Sequence, residues 1–144
     1  MILSCESLNK IYQNNNTSIM EHVLKNINLN LEKGVLAALR GPSGSGKSTL
    51  LNLIAGLDYP SSGKITFNNM IVNNLNNSEL AIYRNKNIGI IFQFFNLLND
   101  LTVYENIALP LIIRGENRKH ISTKVLPLIE KIGLMNRKDF KTNI

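Results

Sequence analysis

Apolar and polar residues alternate with a period of two in the two segments nearest the N-terminus, "ILSCESLNKIY" (residues 2–12) and "VLKNINLNLEKG" (residues 23–34). In the second, Leu24, Asn26, Asn28 and Asn30 fall on one side, and Ile27, Leu29 and Leu31 on the other. This pattern predicts two half-buried strands joined by the asparagine-rich stretch between them as a loop. Two later runs, "GVLAALR" (residues 34–40) and "NIGIIFQ" (residues 87–93), are almost wholly apolar. Short runs with no polar side predict strands buried on both faces of a parallel sheet. In "DYPSSGKITFNN" (residues 58–69), a turn at Pro60 and Gly63 leads into another expected strand.

The remaining apolar positions recur at helical spacing. "KSTLLNLIAGL" (residues 47–57) places Leu50, Leu51, Ile54 and Leu57 on one face and carries Gly56 as a stop. "SELAIYRNK" (residues 78–86) predicts a short helix capped by Ser78. "VYENIALPLII" (residues 103–113) predicts a helix broken near Pro110. "KHISTKVLPLIEKIGL" (residues 119–134) aligns Ile121, Val125, Leu128 and Ile132, with a kink or restart expected at Pro127 and closure at Gly133. No internal repeat is present, and the whole chain, residues 1–144, reads as a single α/β domain.

Composition removes several classes of function. No apolar run approaches the roughly 18 residues of a membrane span, and "MILSCESLNK" lacks the layout of a signal peptide, so a cytoplasmic protein is expected. The net charge of +6 and pI near 9.6 invite a nucleic-acid reading. The basic residues, however, gather only in "RGENRKH" and "NRKDFK", where acids and polar residues interrupt them, so solvated surfaces are expected and no nucleic-acid partner. Cys5 is the single cysteine, which rules out an intrachain disulfide or thiolate cluster and suggests packing within a strand. His22 and His120 stand alone and suggest no metal site.

The strongest chemical signal is "LRGPSGSGKSTLL" (residues 39–51), which lies between the apolar run 34–40 and the helix expected from Lys47. Gly41, Gly44 and Gly46 permit backbone turns that converge successive N–H groups on one anionic point. The spacing Gly41-x-x-x-x-Gly46-Lys47-Ser48 matches the P-loop, in which the lysine reaches the β- and γ-phosphates and the serine hydroxyl ligates Mg²⁺. A strand before the loop and a helix after it supply the context that the motif needs, because the helix N-terminus adds its own free N–H groups and dipole.

Three segments in order resemble the ATP-binding subunit of ABC transporters. "LNKIY" resembles the strand that ends in an adenine-stacking aromatic residue, "GPSGSGKSTLLNLIAGLDYPSSGKI" the P-loop and its helix, and "NIGIIFQFFNLLNDLTVYENIALPL" the Q-loop region. The run "FQFFNLL" with "LTVYENIALPL" is similar to the branch serving lipoprotein release and macrolide-type export. The likeness implies a P-loop NTPase-type nucleotide-binding domain with an antiparallel β subdomain and part of a helical subdomain, its C-terminal part lacking. It implies ATP and Mg²⁺ as cofactors. Gly41, Pro42, Ser43, Gly44, Ser45, Gly46, Lys47, Ser48 and Thr49 would hold the phosphates, Tyr12 would stack on adenine, and Ser48 with Gln93 would serve the metal. It further implies membrane permease subunits docking on residues 93–98, among them Phe94, Phe95, Leu97 and Leu98, a second ATP-binding subunit, and a place at the inner face of the cell membrane.

The sequence departs from that pattern in places. Asn69 stands where glycine is usual, a change that asparagine tolerates because it enters left-handed turns, and Asn99 stands where proline is common. Within residues 1–144 there is no "LSGGQ"-type signature, no strand ending in Asp-Glu and no switch histidine, so no catalytic residue is assigned and a fragment competent at most for ATP binding is expected. The alternatives are a truncated product without enzymatic function and another P-loop NTPase such as a GTPase. "NRKD" (residues 136–139) imitates a guanine-reading motif, yet it follows a helical segment instead of a buried strand.

Overall fold

Strand β1 (Leu3–Gln13) is hydrogen-bonded along both edges, antiparallel to β2 (Met20–Leu31) on one side and to β3 (Ser62–Phe67) on the other. A two-residue strand β4 (Met70–Ile71) pairs with β3 and completes the order β2-β1-β3-β4. The computed structural model describes residues 1–13, 19–94 and 96–142, so the asparagine-rich loop (residues 14–18) and Phe95 lie outside the described residues. These elements belong to one compact unit, Met1–Ile88, and a second unit comprises Gly89–Ile144.

In the first unit the sheet carries helix α1 (Lys47–Ile54) and helix α2 (Asn77–Asn87) around one core. Leu3, Cys5 and Leu8 of β1, Leu24 of β2 and Ile65 of β3 meet Leu50 and Leu53 of α1 and Leu80 and Tyr83 of α2. A fully buried aliphatic side chain of this kind contributes about 1.5–3 kcal/mol. Cys5 lies in its strand as expected, and burial pushes its thiol up to about 11. Leu24 is buried although simple alternation puts it on the polar side. A bulge is the reason: Asn26 takes φ 50°, the register shifts between Leu8 and Lys10, and the strand changes face between Ile27 and Leu24. At Gly63 (φ 91°) β3 runs so close to β1 that a Cβ would sit 2.4 Å from the Ser7 carbonyl oxygen and 2.6 Å from Leu8 Cα. Asn69 takes φ 66°, the left-handed conformation that its replacement of glycine requires.

Helix boundaries follow side-chain caps. Asn76, not Ser78, caps α2: its Oδ1 accepts the N–H groups of Ser78 and Glu79, and the Glu79 carboxylate accepts the Asn76 N–H in return. At the other end of this packing, Tyr83 Oη and Arg84 donate to the carbonyls of Ile54 and Gly56, satisfying the C-terminal end of α1. The apolar face of α1 is also narrower than spacing alone suggests, because Leu50 and Leu53 are buried while Leu51 and Leu57 are exposed.

The second unit is built on α3 (Val103–Ile113) and α4 (Arg118–Lys131), which bury Ala108 against Ile121, Val125 and Ile129. Neither proline breaks its helix. Pro110 has no N–H to donate, while its carbonyl accepts the Arg114 N–H. Pro127 is likewise internal to α4, and Gly133 (φ 72°) follows its end. Leu128 and Ile132 are exposed, and Ile129 takes the core position instead. The Asn106 side chain ties the preceding loop to α3, accepting the Leu98 N–H and donating to the carbonyls of Leu98, Leu101 and Thr102.

Two strand expectations fail. Residues 34–40 and 88–93 form no strand, and Leu36 and Ile91 are 99% and 100% exposed. A strand is held by a neighbour's N–H and C=O groups, and no described strand pairs with either segment. Exposed unpaired apolar segments promote association between chains. Leu36→Glu and Ile91→Glu are therefore expected to lower self-association of this chain in light scattering at equal concentration, with the circular dichroism spectrum unchanged; unaltered association in both variants would contradict this.

Candidate functional site

The P-loop turn is set by packing as well as by its glycines. Gly44 and Gly46 take φ 77° and 84°, and a Cβ on Gly46 would lie 2.8 Å from Leu24 Cδ2 and 3.2 Å from the Val23 carbonyl oxygen of β2. Only glycine fits between β2 and the start of α1. Gly46 is also the N-cap of α1, so that helix begins with no side-chain cap and no acidic residue in its first turn. Asn76, Thr102 and Asn117, by contrast, cap α2, α3 and α4 with their side chains. The first-turn N–H groups of α1 have no acceptor within their own helix, and together with the helix dipole they favour an anion.

Lys47 arches back over the loop. Its Nζ donates to the carbonyls of Gly41 (3.0 Å) and Pro42 (2.6 Å) and to Ser45 Oγ (3.3 Å). This holds the ammonium above the turn that Gly41, Pro42, Ser43, Gly44, Ser45 and Gly46 describe. A phosphate oxygen is a stronger, charged acceptor than any of these three. Ser48 and Thr49 follow in the first turn of α1. Convergent N–H donors, a lysine ammonium and a serine hydroxyl are the donor set that fits a nucleotide phosphate chain with Mg²⁺.

Tyr12 lies near the end of β1 and is 41% exposed. Its hydroxyl donates to Asp58 Oδ2 at 2.8 Å, and the Thr49 side chain lies within reach of the same phenol. Burial, then the Asp58 hydrogen bond and charge, raise the phenol above its ordinary value, and Thr49 offsets part of the rise. The fold thus joins Tyr12 to the first turn of α1. Gln93 belongs to the second unit and is exposed, as are Phe94, Leu97 and Leu98.

Two residues here escape a sequence reading. Lys10 is 9% exposed and donates to Asp58 Oδ1 (2.7 Å) and to the Tyr59 carbonyl (2.7 Å), while its Nζ sits 4.7 Å from the centroid of the Tyr12 ring. Asp58 receives both Lys10 and Tyr12. The sequence signal was a charged residue two positions after Leu8, on the buried side of its strand.

The ABC transporter family matches residues 24–143. The chain belongs to that family. It is 42% identical over 141 residues to the lipoprotein-releasing system ATP-binding protein LolD of Pseudoalteromonas translucida, covering 98% of this chain and 60% of the relative. The LolD of Wigglesworthia glossinidia brevipalpis is also 42% identical, with 61% of its length covered. The methionine import ATP-binding protein MetN of Vibrio cholerae is 39% identical, with 39% of its length covered. Among solved structures, a dimeric post-hydrolysis state of the ATP-binding cassette MJ0796 bound to ADP and Pi matches 99% of this chain and 62% of its own, with TM-score 0.86 and 34% identity. The chain therefore has the α/β fold of an ABC ATP-binding domain and spans about 60% of the length of these LolD relatives. "NRKD" lies around a 3₁₀ turn (Met135–Arg137), where Lys138 pairs with Asp139. No helix among the described residues is long and apolar enough to cross a membrane.

The Lys10–Asp58 pair also makes stability depend on pH. Burial alone raises the Asp58 carboxyl, but hydrogen bonds from Lys10, Tyr12 and the Tyr59 N–H, with the Lys10 charge, hold it below its ordinary value. A carboxyl lowered on folding stabilises the fold fully above its unfolded value, about 3.9, and loses that stabilisation as pH falls through the lower folded value. Asp58→Asn should reduce the melting temperature at pH 7, and the gap to wild type should begin to narrow below about pH 4. Thermal melts across pH 3–7 check this, and a gap constant over that range would contradict it.

Proposed function

We propose that the chain is the nucleotide-binding part of an ABC transporter of the lipoprotein-release type, holding Mg-ATP through residues 41–49 with Tyr12 as the platform for the base. The observation that carries this reading is the turn before α1, where Gly46 opens an uncapped helix N-terminus and Lys47 is folded over the loop. The N–H groups and Lys47 take the phosphates, and Ser48 serves the metal. Bound Mg²⁺ supplies charge neutralisation of the phosphate oxygens. Binding of Mg-ATP is the activity proposed for residues 41–49.

Charge-assisted contacts of this kind are worth about 1.5–3 kcal/mol each, so Lys47→Ala is expected to weaken Mg-ATP binding by about one to two orders of magnitude in calorimetry. Equal affinities for the two chains would overturn the assignment.

The reading extends to a membrane permease, held on the segment 93–98 and coupling the nucleotide to transport at the inner face of the cell membrane, with a second ATP-binding subunit as partner. Support comes from the exposure of Phe94 (75%), Leu97 (50%) and Leu98 (49%), apolar residues on a loop that Asn106 fastens to α3. Phe94→Ser and Leu98→Ser should reduce co-purification with the permease while leaving the melting temperature within about 2 °C, as surface substitutions do. Variants that unfold without a separable docking defect would show that these side chains serve packing.

A further inference from the structure

We infer that the buried Lys10–Asp58 pair is a positioning device that holds the Tyr12 ring ready to receive a nucleotide base and couples it to the phosphate loop. The inference rests on the nucleotide reading above and adds to it the residues that make an exposed tyrosine a fixed platform.

Asp58 uses its two oxygens for two tasks. Oδ1 receives Lys10 Nζ and the Tyr59 N–H, both at 2.7 Å, and Oδ2 receives the Tyr12 hydroxyl at 2.8 Å. Lys10 reaches the Tyr59 carbonyl as well, so the turn after α1 is held from both sides. Ser61 continues the attachment, its N–H donating to the Asn9 carbonyl and its Oγ accepting the Ile11 N–H. The carboxylate is therefore fixed relative to β1, and it anchors the phenol at the far end of the ring.

Lys10 also acts on the ring directly. Its ammonium lies 4.7 Å from the ring centroid, so one face of Tyr12 is occupied by a cation from a nearly buried residue. With the cation on one face, the opposite face is the one a base would meet. A ring held by its hydroxyl at one end, by the strand at the other and by a cation on one face has little freedom left. A flat base meeting the free face pays little ordering entropy. Thr49, in the first turn of α1, reaches the same phenol and places this platform beside the phosphate loop.

The pair acts through Tyr12 and makes no contact with phosphates, and that difference is measurable. The probes are Mg-ATP and Mg-tripolyphosphate, which share a phosphate chain and differ in the base. Partial loss of positioning in Asp58→Asn removes only part of the stacking contribution, so it should weaken Mg-ATP binding about three- to tenfold. Tripolyphosphate binding should stay within about twofold, since it does not use the ring. Tyr12→Phe keeps the ring and removes only its anchor, so it should give the same split. The double variant should lose less than the two single losses combined, because both disturb the Tyr12–Asp58 hydrogen bond. Unchanged ATP affinity in Tyr12→Phe and Asp58→Asn would overturn the inference and leave the P-loop assignment intact. Equal loss of both ligands would reduce the pair to a structural role and overturn it too. A wild-type chain that binds neither ligand would instead overturn the nucleotide reading itself.

Discussion

Pairing of β1 on both edges is the interaction on which the first unit depends. A central strand cannot shift register without turning all its side chains to the other face, and here the side chains of one face have three unlike duties. Leu3, Cys5 and Leu8 supply one wall of the core, Lys10 enters a polar recess at Asp58, and Tyr12 emerges near the phosphate loop. The bulge at Ser7 lets β1 do all three, because it inserts a left-handed residue and resets the alternation, and the bulge at Asn26 does the same for β2. Gly63 belongs to the same constraint, since β3 can close on the bulge only where it has no side chain.

The phosphate loop inherits its shape from this sheet. Gly46 fits against Leu24 and Val23 because β2 has already been brought into place by β1, and the absence of a cap on α1 follows from the absence of a side chain at Gly46. One glycine thus meets two needs: close approach to the sheet, and helix N–H groups kept clear of any internal acceptor. Lys47 completes the balance by spreading its charge over the loop's own carbonyls, which keeps the ammonium above the turn.

What was legible in the sequence was local. The P-loop, the antiparallel strands, the four helices and the strand position of Cys5 each rest on a spacing or a turn residue that acts within one element. Most of the failures required a second element. Ser78 looks like a cap, but Asn76, two residues earlier, closes a reciprocal pair with Glu79. Leu24 looks outward until the bulge at Asn26 is placed opposite Asn9, whose side chain accepts the Asn26 N–H. Pro110 and Pro127 look like breaks, yet each removes one hydrogen bond from a helix whose packed face is intact. Asp58 and Lys10 are 48 residues apart and became partners only through the fold.

The two apolar runs, 34–40 and 87–93, show the limit of periodicity most clearly. A helix carries its hydrogen bonds within itself, so an apolar face and a cap suffice to write it into the sequence. A parallel strand carries none, and its identity belongs to the pair. Val35, Leu36, Ile90 and Ile91 have the composition of buried strands and the exposure of surface residues, which is what apolar composition without a ladder partner produces. The loop around Leu98 stands at the opposite pole: it has no regular structure, yet Asn106 and Thr142 satisfy its carbonyl from two directions. Definition of backbone there comes from side chains that happen to bear amides and hydroxyls. Exposed apolar residues on so fixed a loop incur less ordering cost when a partner covers them than the same residues on a free segment.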